Sequence, residues 1–228
     1  MERLSTWFAV GLLMLPTVVC AEEPGQKPGG RGFVFGGAFG GGQLSFPGGS
    51  GQAMAVSPVN GELVIGLWGS ALTLGQRDAK IVRAGQDVPG AEQIVPLPAH
   101  EGAFSFSMNG GYAFDRRVAV LLELEVSGGS SNSDFNHTVG SFVVRYWPAT
   151  RVWAQAGPAF GDLGYGIAES AVRSGSITGN GVHLAAGVSV VRKPKWSLDL
   201  EARYATIWYE GFRASTATVA IAGSKLPL

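Results

Sequence analysis

The run Val118-Ala-Val-Leu-Leu-Glu-Leu-Glu-Val-Ser127 decides the fold. Val118, Val120, Leu122, Leu124 and Val126 fall on one face, and Ala119, Leu121, Glu123, Glu125 and Ser127 on the other. That period of two is the period of a β-strand, because successive side chains of a strand point to opposite sides. One face is wholly apolar. The other mixes two carboxylates with small and apolar side chains, and the neighbouring segments show which face is the inner one.

Upstream, Ala103 to Phe114 sets Phe104, Phe106, Met108, Tyr112 and Phe114 against Ser105, Ser107, Asn109 and Ala113, with Asp115-Arg116-Arg117 as a short polar turn into the next strand. Downstream, Thr138 to Trp147 sets Phe142, Val144 and Tyr146 against Ser141, Val143 and Arg145. A Pro148-Ala149-Thr150 turn then leads into Val152 to Gly161, where Val152, Ala154, Ala156 and Phe160 oppose Gln155 and Gly157. Val182 to Val191 places Val182, Leu184, Ala186, Val188 and Val190 opposite His183, Ala185, Gly187 and Ser189. After Lys193-Pro194-Lys195, Trp196 to Tyr209 places Leu198, Leu200, Ala202, Tyr204 and Trp208 opposite Ser197, Asp199, Glu201 and Arg203. Phe33 to Phe46 is the first strand of the series and Phe212 to Gly223 the last, which makes eight.

Composition narrows the choice of all-β architecture. Of 228 residues 35 are Gly, only 15% are charged, and 46% are hydrophobic. The apolar and aromatic content excludes intrinsic disorder. The exact balance of 17 Lys+Arg with 17 Asp+Glu gives no basic surplus for nucleic acid, so no nucleic-acid partner is expected. A soluble sandwich would carry a polar face dense in Lys, Glu and Thr. Here the less apolar faces are mostly Gly, Ala and Ser, and the strand ends carry aromatic residues. The turns also alternate, short near 115, 149 and 194 and long at 128–137, 162–181 and 47–102. Short turns on one rim, long loops on the other and aromatic girdles are the pattern of barrels that span a bilayer. An eight-stranded antiparallel up-and-down transmembrane β-barrel is therefore expected, with 47–102 as a long first extracellular loop.

Two stretches carry a resemblance. The Gly-rich first strand Gly32–Gly42 (GFVFGGAFGGG), and the run Arg145–Gly161 (RYWPATRVWAQAGPAFG) with its Tyr-Trp-Pro turn, resemble small bacterial outer-membrane β-barrel proteins of the OmpA/OmpX-like type, over roughly residues 32 to 223. The resemblance implies a Gram-negative cell envelope, contact with outer-membrane lipid, a monomer, and a structural or surface-interaction role without catalysis. Such barrels usually close on a terminal aromatic residue, whereas this chain ends Gly-Ser-Lys-Leu-Pro-Leu.

Residues 1–21 read as a cleaved signal peptide: Arg3 forms the charged region, Trp7 to Leu15 with Val18 and Val19 the apolar stretch, and Val19-Cys20-Ala21 the cleavage site. Cys20 is the only cysteine, so the mature chain would have no thiol for a disulfide, a metal or a nucleophile. Residues 22–31, rich in Pro and Gly, read as a flexible periplasmic linker, and 32–228 as the barrel. The insertion 47–102 includes the apolar run Glu62 to Leu74. It is expected to be a loop that folds as a hairpin or short helix over or into the outer mouth; the alternative is that Val64 to Leu74 adds strands to make a ten-stranded barrel.

Eight strands leave an interior just wide enough to be filled by side chains, so no open diffusion pore is expected. Glu123, Glu125, Arg145, Gln155, His183, Asp199, Glu201 and Arg203 are expected inside as a polar network, with Arg145 clamping Glu123 and Glu125. Tyr112, Phe114, Tyr146, Trp147, Trp196, Trp208 and Tyr209 are expected as the aromatic girdle. Three scattered histidines, His100, His137 and His183, give no metal-ligand spacing, and no cofactor is implied. His137 lies near Ser131, Ser133 and Asp134, the ingredients of a lipid A-modifying outer-membrane enzyme without its motif spacing. A soluble periplasmic barrel binding a small apolar ligand is the other alternative. A surface ligand would be met by the loops 47–102 and 162–181, where function concentrates on a rigid scaffold.

Overall fold

The structure is a computed structural model. It describes residues 31–48, 51–56, 64–67, 70–73, 79–89, 91, 93–129, 135–166, 174–193 and 195–225. The expected signal peptide, nearly all of the linker, Ser131, Ser133 and Asp134, and the last three residues lie outside the described residues.

Thirteen strands are described: β1 (Gly32–Ser45), β2 (Gln52–Val56), β3 (Val64–Leu67), β4 (Ser70–Thr73), β5 (Ala79–Arg83), β6 (Gln93–Pro96), β7 (His100–Ala113), β8 (Val118–Gly129), β9 (Phe135–Ala149), β10 (Val152–Gly166), β11 (Ser174–Arg192), β12 (Trp196–Tyr209) and β13 (Phe212–Lys225). Eight of them form a closed antiparallel barrel in the order β1-β13-β12-β11-β10-β9-β8-β7. It is an up-and-down barrel closed by β1, which pairs with β7 from Gly32↔Ala113 to Ser45↔His100 and with β13 from Phe35↔Lys225 to Ser45↔Ser215. Closure leaves every wall strand a partner on both sides, so the wall has no free edge.

The strand starts and ends sort the barrel into two rims. The β7–β8, β9–β10 and β11–β12 turns lie with the start of β1 and the end of β13 at the turn end. The insertion and the β8–β9, β10–β11 and β12–β13 links lie at the loop end. The turns have local chemical causes. Asp115 Oδ1 accepts hydrogen bonds from the backbone N–H groups of Arg117 (2.6 Å) and Val118 (2.8 Å), which closes the β7–β8 turn. The Arg192 guanidinium donates to the Thr150 carbonyl and ties two neighbouring turns together. At the loop end the chain reverses in two residues, Glu210-Gly211, with Gly211 at φ +83°, a left-handed conformation that favours glycine.

The side chains follow the alternation. Phe104, Phe106 and Met108 on β7, Leu122 on β8 and Phe142 on β9 face outward, while Ser105, Ser107, Glu123, Glu125, Ser141 and Arg145 face in. Glycines stand beside large rings at two paired positions. A Cβ at Gly140 would strike the ring of its outward partner Phe160, and a Cβ at Gly187 would strike the ring of its inward partner Trp153. An aromatic ring laid over a glycine on the next strand fills the space the missing side chain leaves.

Two expectations about the wall are corrected, and the ten-stranded alternative falls away. Trp147 and Tyr209, assigned to the girdle, turn inward at 7% exposure each. The cause is the period of two: Tyr146 and Trp208 already face out, and an immediate neighbour cannot share their face. The link 162–181 is largely strand, because β10 runs to Gly166 and β11 starts at Ser174, the two pairing from Asp162↔Thr178 to Gly166↔Ser174. In the insertion, β3 and β4 pair only with each other rather than with the wall, so the barrel has eight strands and not ten. The insertion carries a second small sheet, β5-β2-β6, and its last residues, from His100 on, belong to β7.

Two hydrophobic layers bracket the lumen. At the loop end Met54 and Leu97 of the insertion pack with Leu44, Phe46, Phe135, Leu163, Ile207 and Phe212 in one buried cluster. The Gln52 side-chain amide donates to the Gly211 carbonyl (2.9 Å), fastening the insertion sheet to the β12–β13 turn. The insertion thus caps this mouth. Towards the turn end Val34, Ala113, Ala119, Leu121, Val143, Trp147 and Trp153 form a second cluster.

Candidate functional site

The expected interior residues Glu123, Glu125, Arg145, Gln155, His183, Asp199, Glu201 and Arg203 are all buried within the barrel. Alternation alone puts them there, since each follows an outward apolar residue on its strand. A buried charge is tolerated only with a partner and hydrogen bonds, so their contacts decide what the lumen can do.

The contacts form one chain across four strands. Trp153 Nε1 donates to Asp199 Oδ2 (3.1 Å), and the Arg145 guanidinium lies 4.0 Å over the Trp153 ring. Arg145 Nε donates to Gln155 Oε1 (2.8 Å), and Gln155 Nε2 donates to Glu123 Oε2 (2.6 Å). Glu123 Oε1 then pairs with Arg203 (2.9 Å), which also pairs with Glu201 on its own strand. Glu125 stands apart from the chain of direct contacts, accepting long hydrogen bonds from Ser127 and Thr218 (3.4 Å each).

The arginine paired with Glu123 is Arg203, not Arg145, which corrects the clamp expected from sequence. Along the β8–β9 ladder Arg145 stands opposite Ala119, and Glu123 stands opposite Ser141. Four positions of strand, about 13 Å at some 3.3 Å per residue, separate the two levels, so Gln155 relays between Arg145 and Glu123. Alternation identified the inward charges, but register, which depends on the ladder as a whole, chose their partners.

A second brace, absent from the sequence reading, lies nearer the cap. His137, fully buried, is hydrogen-bonded through Nδ1 to Thr216 Oγ1 (2.6 Å) and through Nε2 to Tyr209 OH (3.0 Å). The inward turn of Tyr209 makes this possible. The signal was present in the strand pattern, since His137 sits two residues before Val139 and four before Ser141 on the inner face of β9.

The histidines do not gather. His183 Nδ1 meets Ser141 Oγ at 2.9 Å, a contact of hydroxyl and base, but both groups are buried in the lumen at 1% and 2% exposure and are closed off from any lipid or solute outside. His100 is exposed at the rim beside Ser45 (3.2 Å). Among the described residues no group of three or more His, Cys, Asp and Glu is placed to hold a metal ion. A shallow depression of about 550 Å³ lies on the outer wall, between Tyr146 and Tyr204 over Ala154, Ala156, Ala186 and Ala202.

Of the girdle residues, Tyr112, Phe114, Tyr146, Trp196 and Trp208 are exposed on the outer face near the rims. Phe33 packs edge-on to Tyr112, and Tyr112 edge-on to Phe114, in a small aromatic row near the turn end.

No protein-family model matches the chain, and no curated protein matches it. Among solved structures the chain is similar to Neisserial surface protein A (NspA), at 13% identity and TM-score 0.47 over 89% of this chain and all of that one. It is also similar to Ail, the attachment invasion locus protein of Yersinia pestis, at 11% identity and TM-score 0.38 over 87% of this chain and 99% of that one. A complex of Ail with the heparin analogue sucrose octasulfate matches at 10% identity and TM-score 0.38, over 84% of this chain and 98% of that one.

Proposed function

We propose that this protein is an outer-membrane β-barrel of a Gram-negative cell envelope, delivered by a cleaved signal peptide, monomeric, and acting as a structural or surface-interaction protein. The observation that carries the reading is the outer face of the wall. From Phe33 and Phe35 on β1 to Val219 and Ile221 on β13, every one of the eight barrel strands exposes large apolar side chains. The charges on these strands are turned inward or stand at the rims. Monomeric soluble proteins rarely expose apolar patches beyond a few hundred Å². An apolar band encircling a closed barrel suits hydrocarbon, where each backbone polar group must find its partner within the wall. Strands of 12 to 19 residues exceed the roughly ten needed to cross at a tilt.

The filled lumen supports a role without conduction. The ion pair and hydrogen-bonded chain across the interior, together with the two apolar layers, leave the rim structures as the parts able to meet a partner. The insertion cap and the β10–β11 extension are the surfaces assigned to that contact.

Membrane fractionation tests the reading. The protein should resist extraction by high salt and carbonate, require detergent, and migrate differently on gels before and after heating. In a planar bilayer it should give no stepwise conductance. Release by carbonate would point instead to a soluble periplasmic barrel, and a change in lipid A mass on expression would point to an enzyme.

A further inference from the structure

The two rims differ in charge. At the loop end the exposed charges among the described residues balance, with Arg83 and Arg213 set against Asp87 and Glu210. At the turn end Arg31, Arg116, Arg117, Lys193, Lys195 and Lys225 are exposed, and among the described residues the one exposed acid is Asp115. That carboxylate is taken up by the backbone of its own turn, where it accepts from Arg117 and Val118. The cations come from the β7–β8 turn, the β11–β12 turn, the start of β1 and the end of β13, so they ring the rim rather than cluster at one point. Directly above them on the wall lie Tyr112, Tyr146 and Trp196, the residue types that settle at the depth of lipid headgroups, with Phe33 and Phe114 packed against Tyr112.

We propose that this basic collar binds the headgroups of anionic phospholipids in the leaflet at the turn end, selecting them over zwitterionic lipid. The inference rests on the membrane reading above, because the apolar band fixes the collar at headgroup level. Lys and Arg held at that level beside an aromatic belt meet phosphate at hydrogen-bond distance, and each is worth roughly a fivefold gain in partition towards an anionic surface. Arginine adds a planar fork that matches phosphate with two bonds. Among the described residues the loop end, with its balanced exposed charge, offers no such surplus.

Tryptophan quenching by brominated lipid tests the collar with the whole chain. The protein is refolded into phosphatidylcholine vesicles, and insertion is checked by the heat-dependent gel shift. Dibrominated phosphatidylglycerol is then compared with dibrominated phosphatidylcholine as quencher. The quenching that a Trp196→Phe variant loses reports the turn end, and the quenching that a Trp208→Phe variant loses reports the loop end, the other tryptophans being common to both comparisons. Expected is a preference for phosphatidylglycerol of at least about threefold at Trp196 and none at Trp208. The preference should vanish in 0.5 M salt, where the screening length falls below about 5 Å, and in the combined Arg116→Gln, Arg117→Gln, Lys193→Gln and Lys195→Gln variant, which should still insert. Equal quenching by the two lipids at Trp196, an equal preference at Trp208, or a preference that survives the four substitutions overturns the collar while leaving the membrane barrel standing. Failure to insert into phosphatidylcholine vesicles overturns the membrane reading itself and the collar with it.

Discussion

Arg203 and Glu123 meet at 2.9 Å across the full width of the barrel, on β12 and β8, which stand opposite each other with three strands between them on either side. An ion pair that joins opposite walls can exist only where the lumen is narrow enough for two side chains to span it. Removing one partner leaves an uncompensated charge in a closed interior, which costs about 3–5 kcal/mol. Arg203→Met should therefore lower the stability of the refolded barrel by that amount, read from the midpoint of urea unfolding. The double variant Arg203→Met with Glu123→Gln should recover part of the loss. Additive losses would mean that the pair is not coupled.

The contact of His137 with Thr216 repeats the geometry, because β9 and β13 are also opposite strands. Tyr209 completes that brace, its hydroxyl hydrogen-bonded to His137 Nε2. Tyr209→Phe removes one buried hydrogen bond while keeping the ring stacked on Phe212, for a loss of about 1 kcal/mol. His137→Ala empties the centre of the brace and should lose more, about 2–4 kcal/mol. Amide exchange should rise in the loop-end halves of β9 and β13 and stay unchanged near the turns. Uniform exchange along the strands would contradict a local brace.

Which parts of this architecture were legible in the sequence follows from the range of the interactions involved. Alternation is local, and it was enough to place Glu123 inside and Phe142 outside, and to give eight strands. The same rule, applied strictly to neighbours, already forbade Trp147 and Tyr209 from joining Tyr146 and Trp208 on the outer face. Partner choice is not local. Whether Glu123 takes Arg145 or Arg203 depends on the register of the ladder and on which strands end up opposite, and both are properties of the closed ring. Three strands of the insertion, β2, β5 and β6, were hidden for another reason: segments of four or five residues, such as Gln52–Val56, are too short to display a period.

Gly187 gives a steric test of the filled lumen. A Cβ there would come within 2.5 Å of the Trp153 ring, which is held by Arg145 above it and by its hydrogen bond to Asp199. Gly223, on the outer face of β13, would meet nothing within 4 Å. Gly187→Ala should cost about 1–3 kcal/mol in urea unfolding, as overpacking in a filled interior does. Gly223→Ala should be neutral within roughly 0.5 kcal/mol. Equal effects at the two positions would argue against a tightly filled lumen.

The β7–β8 turn carries a pH dependence. Its two backbone donors, those of Arg117 and Val118, hold the Asp115 carboxyl below the ordinary aspartate value. A depressed folded value means that the turn gains from the ionised form. The gain is present above the unfolded aspartate pKa of about 3.9 and is lost as pH falls through the folded value. The stability of the wild-type barrel in urea unfolding should therefore fall below about pH 4, while an Asp115→Asn variant, which has no titrating group there, should show a flatter profile over that range. Parallel profiles would exclude Asp115 as the group responsible.

The cap and the crossbars make separable predictions, because they close the lumen at different depths. Met54 and Leu97 are buried in the loop-end cluster, and truncating a buried side chain of this size costs about 2–5 kcal/mol where the site does not collapse. Met54→Ala with Leu97→Ala should therefore loosen the insertion from the barrel mouth, and limited proteolysis should cut within 47–102 faster than in the wild type. The wall gains its stability from its own ladders and from contacts below the cap, so the heat-dependent gel shift should remain. Conductance should also remain absent, since the Glu123–Arg203 pair and the Arg145–Trp153 stack still cross the interior beneath the loosened cap. Stepwise currents in the cap variant alone would place the seal in the insertion. Currents only when Arg203→Met and Trp153→Ala are added would place it in the cross-braced lumen, as the geometry requires.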